Sequence, residues 1–343
     1  MKLTDTLENE YANVESQKNT NIKIDSRIEK IVAVYKEWLT YMQTNLVVKQ
    51  KGILEMGPIA SSIFSCQIGN YSAEDITYLS TRLIQFQEED SFANSGYFLT
   101  NLIMRDYQKT KRKEPYVVIT EHLNTPLDYL CSKLHGLSEL NETAKLNGPS
   151  VYIQGNTGKH TCDGMHSGNV TITGNIGPNG CYFMEGGLVT VHKNSEESLA
   201  NHLNGGEIII YGDTIENTVT QACSSMKKGI VTIKGNAKSI GHCMKGGKII
   251  VEGNCTEHLG SVMYNGEIIV YGNAEYVGCE MRGGKITVQG KIENIGHRTT
   301  YNKEDGHSPF WGKIYEKDTQ VFPPKDETIF SFLKRLKKKI RKK

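Results

Sequence analysis

Glycine dominates the second half of the chain. Of 34 glycines, 27 lie between Gly148 and Gly296, in a unit that recurs eight times with substitutions. The units begin 18 to 23 residues apart, at Gly148, Gly168, Gly187, Gly206, Gly229, Gly247, Gly266 and Gly284. A second column keeps the same period at Met165, Met184, Leu203, Met226, Met244, Met263 and Met281. Two columns with one period indicate an array of structural repeats.

A short strand is predicted at the start of each unit. Two aliphatic residues separated by one position, such as Ile249 and Val251, give the period of two that is typical of a β-strand. A glycine and usually an asparagine follow, as in Gly253-Asn254, and this pair suits a tight bend. Because glycine in a helix costs about 1 kcal/mol per position, each unit is predicted to be one coil of a parallel β-helix. The positions that define the repeat most clearly are Gly247, Ile249, Val251, Gly253, Asn254, Met263, Gly266, Ile268, Val270, Gly272, Asn273, Met281 and Gly284.

Stacking of the coils predicts columns of like residues. One coil alone buries too little apolar surface to offset its backbone entropy, so the coils must stack and share strand hydrogen bonds. We expect isoleucines one coil apart, such as Ile249 and Ile268, to lie over one another in the interior. At an outer corner, Asn236, Asn254 and Asn273 should form a ladder whose amides bond along the axis.

The repeat resembles a known family. The signatures Gly-Gly-x-Ile-x-Val-x-Gly and Gly-x-x-Met-x-Gly-Gly, as in residues 241–253 and 278–290, resemble the GXGXG repeat. That repeat forms the C-terminal domain of the glutamate synthase large subunit and much of one subunit of formylmethanofuran dehydrogenase. The resemblance covers about residues 148–297. It implies that the parallel β-helix of about eight coils, over residues 146–298, is right-handed. Together with the α-rich N-terminal domain that the sequence pattern predicts, the fold class is α+β.

The resemblance also implies a function. In that family the β-helix packs beside catalytic domains and carries no chemistry of its own, which implies a non-catalytic scaffold or protein-interaction subunit with protein partners. The alternative is an accessory subunit of an oxidoreductase complex. The chain opens with Met-Lys rather than an amidotransferase cysteine, and it has no iron–sulfur cysteine trio, dinucleotide fingerprint or nucleophile elbow. We therefore expect no catalysis by this chain alone and no cofactor, and the sequence identifies no small-molecule substrate or cofactor-binding residue.

Cysteines and histidines within the repeat raise the alternative of a metal site. They are His160, Cys162, Cys181, His202, Cys223, His242, Cys243, His258, Cys279 and His297. Three of the cysteines stand three residues before the methionine column, where other coils have Ala200, Gly241, Gly260 and Gly278. A column of Cys, Ala and Gly favours a requirement for small side chains. No C-x-x-C or H-x-x-x-H spacing supports a metal site.

The first part of the chain is predicted to be mainly helical. Residues 1–22 are polar and expected to be disordered, and residues 23–145 are expected to form the α-rich domain. Helices are predicted to begin at Ser26 and Ser72 and to span about 96–110, with a strand at Tyr116–Thr120. A further helix is predicted from Thr125-Pro126 to about Leu140, where it would cap the β-helix.

The outward residues of the strands indicate an interface. Ile209, Ile250 and Ile269 lie between the inward aliphatic residues, with Tyr211 and Tyr271 two positions further on. This apolar stripe is larger than isolated exposed residues would explain. We favour the N-terminal domain as the element that covers it, and a partner protein is the alternative.

The C-terminal segment is basic. Residues 299–324 are interpreted as a cap or linker, and residues 325–343 as an amphipathic tail with nine basic and two acidic side chains. The candidate contacts of this tail are Phe332, Leu336, Lys334, Arg335, Lys338 and Arg341. A peripheral contact with an anionic membrane and a solvated tail are equally favoured, ahead of nucleic acid. With no signal peptide and no apolar run long enough to span a bilayer, the chain is interpreted as cytoplasmic.

Overall fold

The fold is seen in a computed structural model that describes residues 26–46, 53–135, 148–215, 221–296 and 312–322. A helical region comes first and a parallel β-helix follows. The helices are α1 (Ser26–Leu46), α2 (Ile53–Ser65), α3 (Ala73–Arg82) and α4 (Ser95–Thr110), with 3-10 helices at Leu83–Phe86 and Phe92–Asn94. The strands are β1 (Tyr116–Ile119), β2 (Ser150–Gln154), β3 (Asn169–Ile172), β4 (Leu188–Val191), β5 (Glu207–Ile210), β6 (Ile230–Ile233), β7 (Lys248–Val251), β8 (Glu267–Val270), β9 (Lys285–Val288), β10 (Lys313–Glu316) and β11 (Thr319–Phe322).

The helical region packs around a cluster of aromatic side chains. Tyr35 and Trp38 of α1 are fully buried, and Tyr35 meets the Phe98 ring of α4 edge to face at 5.4 Å. α3 opens with the predicted capping box, in which Asp75 N–H donates to Ser72 Oγ at 3.3 Å and Ser72 N–H donates to Asp75 Oδ2 at 2.9 Å. The predicted helix over about 96–110 corresponds to α4.

The strands form one sheet in chain order, so the fold class predicted from the repeat is confirmed. β1 to β10 pair in parallel, and β11 turns back to pair antiparallel with β10. The eight repeat strands β2–β9 delimit seven full turns of a right-handed β-helix. Beside this sheet, a second line of isolated parallel bridges joins Ile240, Leu259, Val277 and Ile295 from coil to coil.

The interior is built from columns of identical or similar side chains. Ile249 pairs in register with Ile268 and Ile268 with Ile286, as the period predicts, and all three side chains are fully buried. Met244 and Met263 of the methionine column are equally buried. Each coil therefore presents an apolar surface that its neighbours must cover, which is why the coils are stable only as an array.

A ladder of side chains runs along one outer corner. Asn254 N–H donates to Asn236 Oδ1 at 2.9 Å and Asn273 N–H donates to Asn254 Oδ1 at 2.8 Å. The amide oxygens thus bond along the axis as expected, but their donors are backbone N–H groups of the next coil. The complete ladder comprises Asn156, Asn175, Asn194, Asp213, Asn236, Asn254 and Asn273, and it ends on Lys291 N–H.

The prediction of a helix from Thr125-Pro126 is wrong for residues 125–135, the part that the structure describes. These residues form turns and irregular backbone instead. Leu127, Leu130 and Leu134 have helical spacing, yet all three face the core of an additional coil. Three residues between these leucines have positive φ: Tyr129 at 60°, Cys131 at 59° and Lys133 at 55°. The N–H groups of Tyr129 and Lys133 donate to the next coil, to Lys159 O and Asp163 O, both at 2.7 Å. The β-helix therefore begins at β1, and the rest of the predicted helix lies outside the described residues.

The two ends of the sheet are formed differently. At the first edge, Thr77 Oγ1 of α3 donates to Val117 O at 2.8 Å and Ser80 Oγ accepts from Ile119 N–H at 3.0 Å. α3 therefore covers the edge strand β1, the position that the predicted helix was expected to fill. At the other end, the sheet finishes in the β10–β11 hairpin, with β11 as the last strand that the structure describes. Pro323-Pro324 follows directly in the sequence, and proline cannot continue strand pairing.

Candidate interaction surface

The predicted isoleucines share one line on the outer face of the sheet. Ile209 pairs with Thr232, Thr232 with Ile250, and Ile250 with Ile269 across β5 to β8. Each of the three isoleucines is partly exposed. We call Ile209, Ile250 and Ile269 with Tyr211 and Tyr271 the isoleucine stripe.

The two tyrosines of the stripe are its most accessible members. Tyr211 is 54% exposed and Tyr271 is 56% exposed, each directly after its strand. The Tyr211 ring lies 5.5 Å from the ring of His192 on the preceding coil. Tyrosine combines a large apolar ring with a polar hydroxyl, and such side chains are enriched at protein interfaces.

Ion pairs flank the isoleucines of the stripe on both sides. Glu267 Oε2 lies 3.1 Å from Lys248 Nζ, and its Oε1 lies 3.2 Å from Lys285 Nζ. Partial burial raises the pKa of Glu267, but hydrogen bonds from both lysines outweigh that effect and the pKa is lowered overall. On the other side of the isoleucines, Lys234 pairs with Glu252, and this pair stands between Tyr211 and Tyr271 in the row of the two tyrosines. The face therefore has an apolar row of isoleucines with charged side chains on both sides of it, three lysines against two glutamates.

The described helices do not cover the isoleucine stripe. α3 packs against β1, at the start of the sheet, whereas the stripe lies on β5 to β8. The expectation that the N-terminal domain folds onto the stripe is therefore wrong for the part of that domain which the structure describes. The physical reason is that α3 is engaged in satisfying the backbone of the edge strand.

The backbone conformation and the limited space in the interior explain why the cysteine column holds only small residues. Cys162, Cys181 and Cys223 are fully buried with φ of 59°, 58° and 56°, and the column continues as Gly241 with φ of 79°. A β-carbon at Gly241 would lie 2.7 Å from Ile268 Cδ1, so the interior leaves space for small side chains only. Burial, together with hydrogen bonds to Cys131 and Cys181, raises the pKa of Cys162. Among the described residues, no group of three or more His, Cys, Asp or Glu is arranged to hold a metal ion.

The histidines of the repeat take separate positions. His160 stacks on Tyr129 with ring centroids 5.1 Å apart, and its Nδ1 lies 3.6 Å from Asp163 Oδ2. His202 stacks on Phe183 at 4.9 Å. The sequence did not predict these stacks. His160 and His202 both adopt a positive φ of 57°, and a non-glycine residue gives no sequence signal for that conformation.

The predicted contacts of the basic tail lie outside the described residues, so they remain sequence-based predictions. No helix in the described ranges combines the length and the apolar character that a bilayer crossing requires. The chain matches no protein-family model and no curated protein sequence.

Proposed function

We propose that the chain is a non-catalytic β-helical scaffold that binds a partner protein through the isoleucine stripe. The observation that carries the proposal is the alignment of Ile209, Ile250 and Ile269 on a rigid sheet beside two tyrosines that are more than half exposed. Because these side chains are already partly buried, covering each of them would contribute less than the about 1.5–3 kcal/mol that full burial of an exposed side chain gives. The resemblance to GXGXG domains, which pack beside other domains, supports the same role.

The chemistry of the surface indicates the kind of partner. The ion pairs of this face contain three lysines, Lys234, Lys248 and Lys285, and two glutamates, so its net charge is only +1, too small to select a polyanion. The complementary surface is an apolar patch with a polar rim, which is the usual organisation of a protein interface. The partner we propose is therefore a folded protein with such a patch.

The experiment compares two double variants of the full chain. Ile250→Lys/Ile269→Lys places two charges in the stripe. Thr171→Lys/Thr190→Lys places the same charges in the same row of the sheet, on β3 and β4. Cross-linking in the native cell followed by mass spectrometry should recover a partner with the parent and the threonine variant, and lose it with the isoleucine variant. An isoleucine variant that is folded by circular dichroism and keeps every partner would overturn the proposal.

A second candidate function is that of an accessory subunit in an oxidoreductase complex. It is supported by the resemblance to glutamate synthase and formylmethanofuran dehydrogenase alone. The same cross-linking experiment distinguishes it, because the recovered partner would then carry a flavin or a redox metal. A recovered partner without a redox group would leave the general scaffold as the function.

A further inference from the structure

A four-residue expansion interrupts the β-helix at its first corner. β1 and β2 pair in register up to Ile119 and Gln154, and the coils meet again where Gly158 N–H donates to Leu127 O at 2.9 Å. The first coil therefore uses eight residues to pass from 119 to 127, whereas the next coil uses four to pass the equivalent corner from 154 to 158. The extra residues form a loop, residues 120–126, that overhangs the corner of the following coil.

A polar cavity lies between this loop and the corners of the next three coils. Its volume is about 310 Å³, at the small end of the range for ligand pockets. Its polar lining consists of Thr120, Glu121, Asn124, Asn156, Thr173 and Lys193. A cavity of this size and composition fits a small, polar molecule.

Hydrogen bonds hold the loop over the cavity. Thr120 Oγ1 donates to Asn156 O at 2.8 Å, and Asn124 N–H donates to Gln87 Oε1 of the helical region at 3.0 Å. Below the loop, Gly155 has φ of 122°, and a β-carbon there would lie 2.4 Å from the loop backbone. The cavity is therefore preformed and needs no rearrangement to accept a ligand.

The first rung of the asparagine ladder is open at this cavity. In each later coil the ladder residue receives a side-chain oxygen from the coil before it, as Asn175 N–H does from Asn156 Oδ1 at 2.8 Å. The overhanging loop puts no such oxygen before Asn156. Neither the backbone N–H nor the Nδ2 group of Asn156 donates to any residue that the structure describes. The cavity thus offers donors at a place where the repeat elsewhere supplies a carboxamide or carboxylate oxygen.

Lys193 occupies a corner position at which the other coils have glycine. The corner position before the ladder residue is otherwise glycine, at Gly155, Gly174, Gly212, Gly235, Gly253, Gly272 and Gly290. A β-carbon at Gly174 would lie 2.4 Å from Gly155 O, so the corner favours glycine. Around Lys193 the Asn175 Oδ1 to Asn194 N bond is 3.1 Å, the longest in the ladder. A residue that departs from a local rule without a structural gain indicates a functional position.

The cavity brings together one acidic and one basic side chain. Glu121 comes from the overhanging loop and Lys193 from the fourth corner. Neither forms an ion pair with another residue in the described ranges. Two unpaired charges of opposite sign in one preformed cavity select a ligand that carries both signs.

From these observations we propose that the cavity binds a small zwitterion with one carboxylate and one amine. The carboxylate takes the place of the missing ladder oxygen at Asn156, within reach of Lys193, and the amine lies toward Glu121. This site is independent of the proposed scaffold function, because it lies at the first corners and not on the isoleucine stripe.

The test measures binding of a length series of zwitterions to the full chain by NMR titration. The probes are glycine, β-alanine, 4-aminobutyrate and 6-aminohexanoate, with acetate, ethylammonium and inorganic phosphate as single-sign probes. The best zwitterion should bind about tenfold more tightly than acetate or ethylammonium, because it makes both charge-assisted contacts. Glu121→Gln should weaken the zwitterion about tenfold without weakening acetate, and Lys193→Gln should weaken both.

Lys291→Gln is the matched control, since Lys291 stands at the opposite end of the same ladder. It should bind the best zwitterion as the parent does. Circular dichroism of each variant separates lost binding from lost fold. The proposal is overturned if no zwitterion binds saturably, if phosphate or acetate binds as tightly as every zwitterion, or if the folded Lys193→Gln variant binds unchanged.

Discussion

Gly253 lies directly against the side chain of Asn236. A β-carbon at Gly253 would stand 2.6 Å from Asn236 Oδ1, the same oxygen that accepts Asn254 N–H at 2.9 Å. The glycine column and the asparagine ladder are therefore one device. Glycine leaves the space in which the side chain of the preceding coil reaches the backbone of the next.

This relationship predicts the effect of Gly253→Ala. The added methyl group collides with Asn236 Oδ1 and also lies 2.5 Å from Gly235 O, so a ladder bond and the corner must shift. We expect the free energy of unfolding to fall by about 1–3 kcal/mol. Urea unfolding followed by circular dichroism measures it.

Lys193→Ala is the control for that prediction. Lys193 occupies the equivalent corner and already carries a β-carbon, so its truncation should change the free energy of unfolding by less than about 0.5 kcal/mol. If Gly253→Ala lowered the free energy of unfolding as little as Lys193→Ala does, the corner glycines would not be sterically required.

The strands could be predicted from the sequence because their pattern is local. Ile249 and Val251 face inward whatever the rest of the chain does, and the stacking of Ile249 on Ile268 follows from the constant period. The first coil could not be predicted in this way. Tyr129 and Cys131 adopt positive φ where long-range hydrogen bonds hold them: Tyr129 N–H donates to Lys159 O of the next coil, and Cys131 N–H donates to Thr100 Oγ1 of α4. Without those partners, Thr125-Pro126 and regularly spaced leucines favour a helix.

One of the two candidate sites could be predicted from the local sequence pattern, and the other could not. The isoleucine stripe could be predicted, because residues between inward positions must point outward. The cavity at Glu121 and Lys193 could not, since it depends on a loop whose path is fixed by a long-range hydrogen bond to Gln87. Lys193 did leave a signal in the sequence, as the one break in the column of corner glycines.

Ile268→Asp should unfold the β-helix. Ile268 is fully buried between Ile249 and Ile286, and an aspartate there would place an unpaired charge in the apolar interior. The expected loss is at least about 3–5 kcal/mol, a large part of the stability of a typical domain. Ile269→Asp is the matched control, because the neighbouring side chain points outward and is partly exposed. Thermal unfolding followed by circular dichroism should show a large loss for the first variant and a small one for the second.

Stability should fall as the pH drops through the range of histidine titration, in part because of His242. Burial lowers the pKa of His242 below the ordinary value of 6.5, and the charge of His258 adds to this. The unfolded chain therefore binds a proton more readily than the folded one, so this contribution is present above pH 6.5 and lost below it. Its Nδ1 atom is also buried without a hydrogen-bond partner among the described residues.

Urea unfolding of the parent and of His242→Gln between pH 7.5 and about pH 5.5 tests this contribution. The parent should lose more stability than the variant over that interval. Parallel curves for the two proteins would contradict the sign of the pKa shift.

The basic tail carries the last prediction. The sequence of residues 325–343 places Phe332 and Leu336 on one helical stripe among nine basic residues. Each basic charge near an anionic bilayer contributes about 1 kcal/mol, and the apolar stripe adds burial. We expect the full chain to sediment with vesicles that contain phosphatidylserine, and a chain truncated after Lys325 to remain in the supernatant.

Two comparisons separate the membrane from the other interpretations of the tail. Phe332→Ser/Leu336→Ser keeps every charge and removes apolar burial, so it should weaken vesicle binding but not binding to a polyanion such as RNA. Equal sedimentation of the full and truncated chains, or none by either, would remove the membrane role. Salt-sensitive RNA binding that is lost on truncation and unchanged by the serine variant would instead favour a nucleic-acid contact, because counterion release depends on charge and not on the apolar stripe.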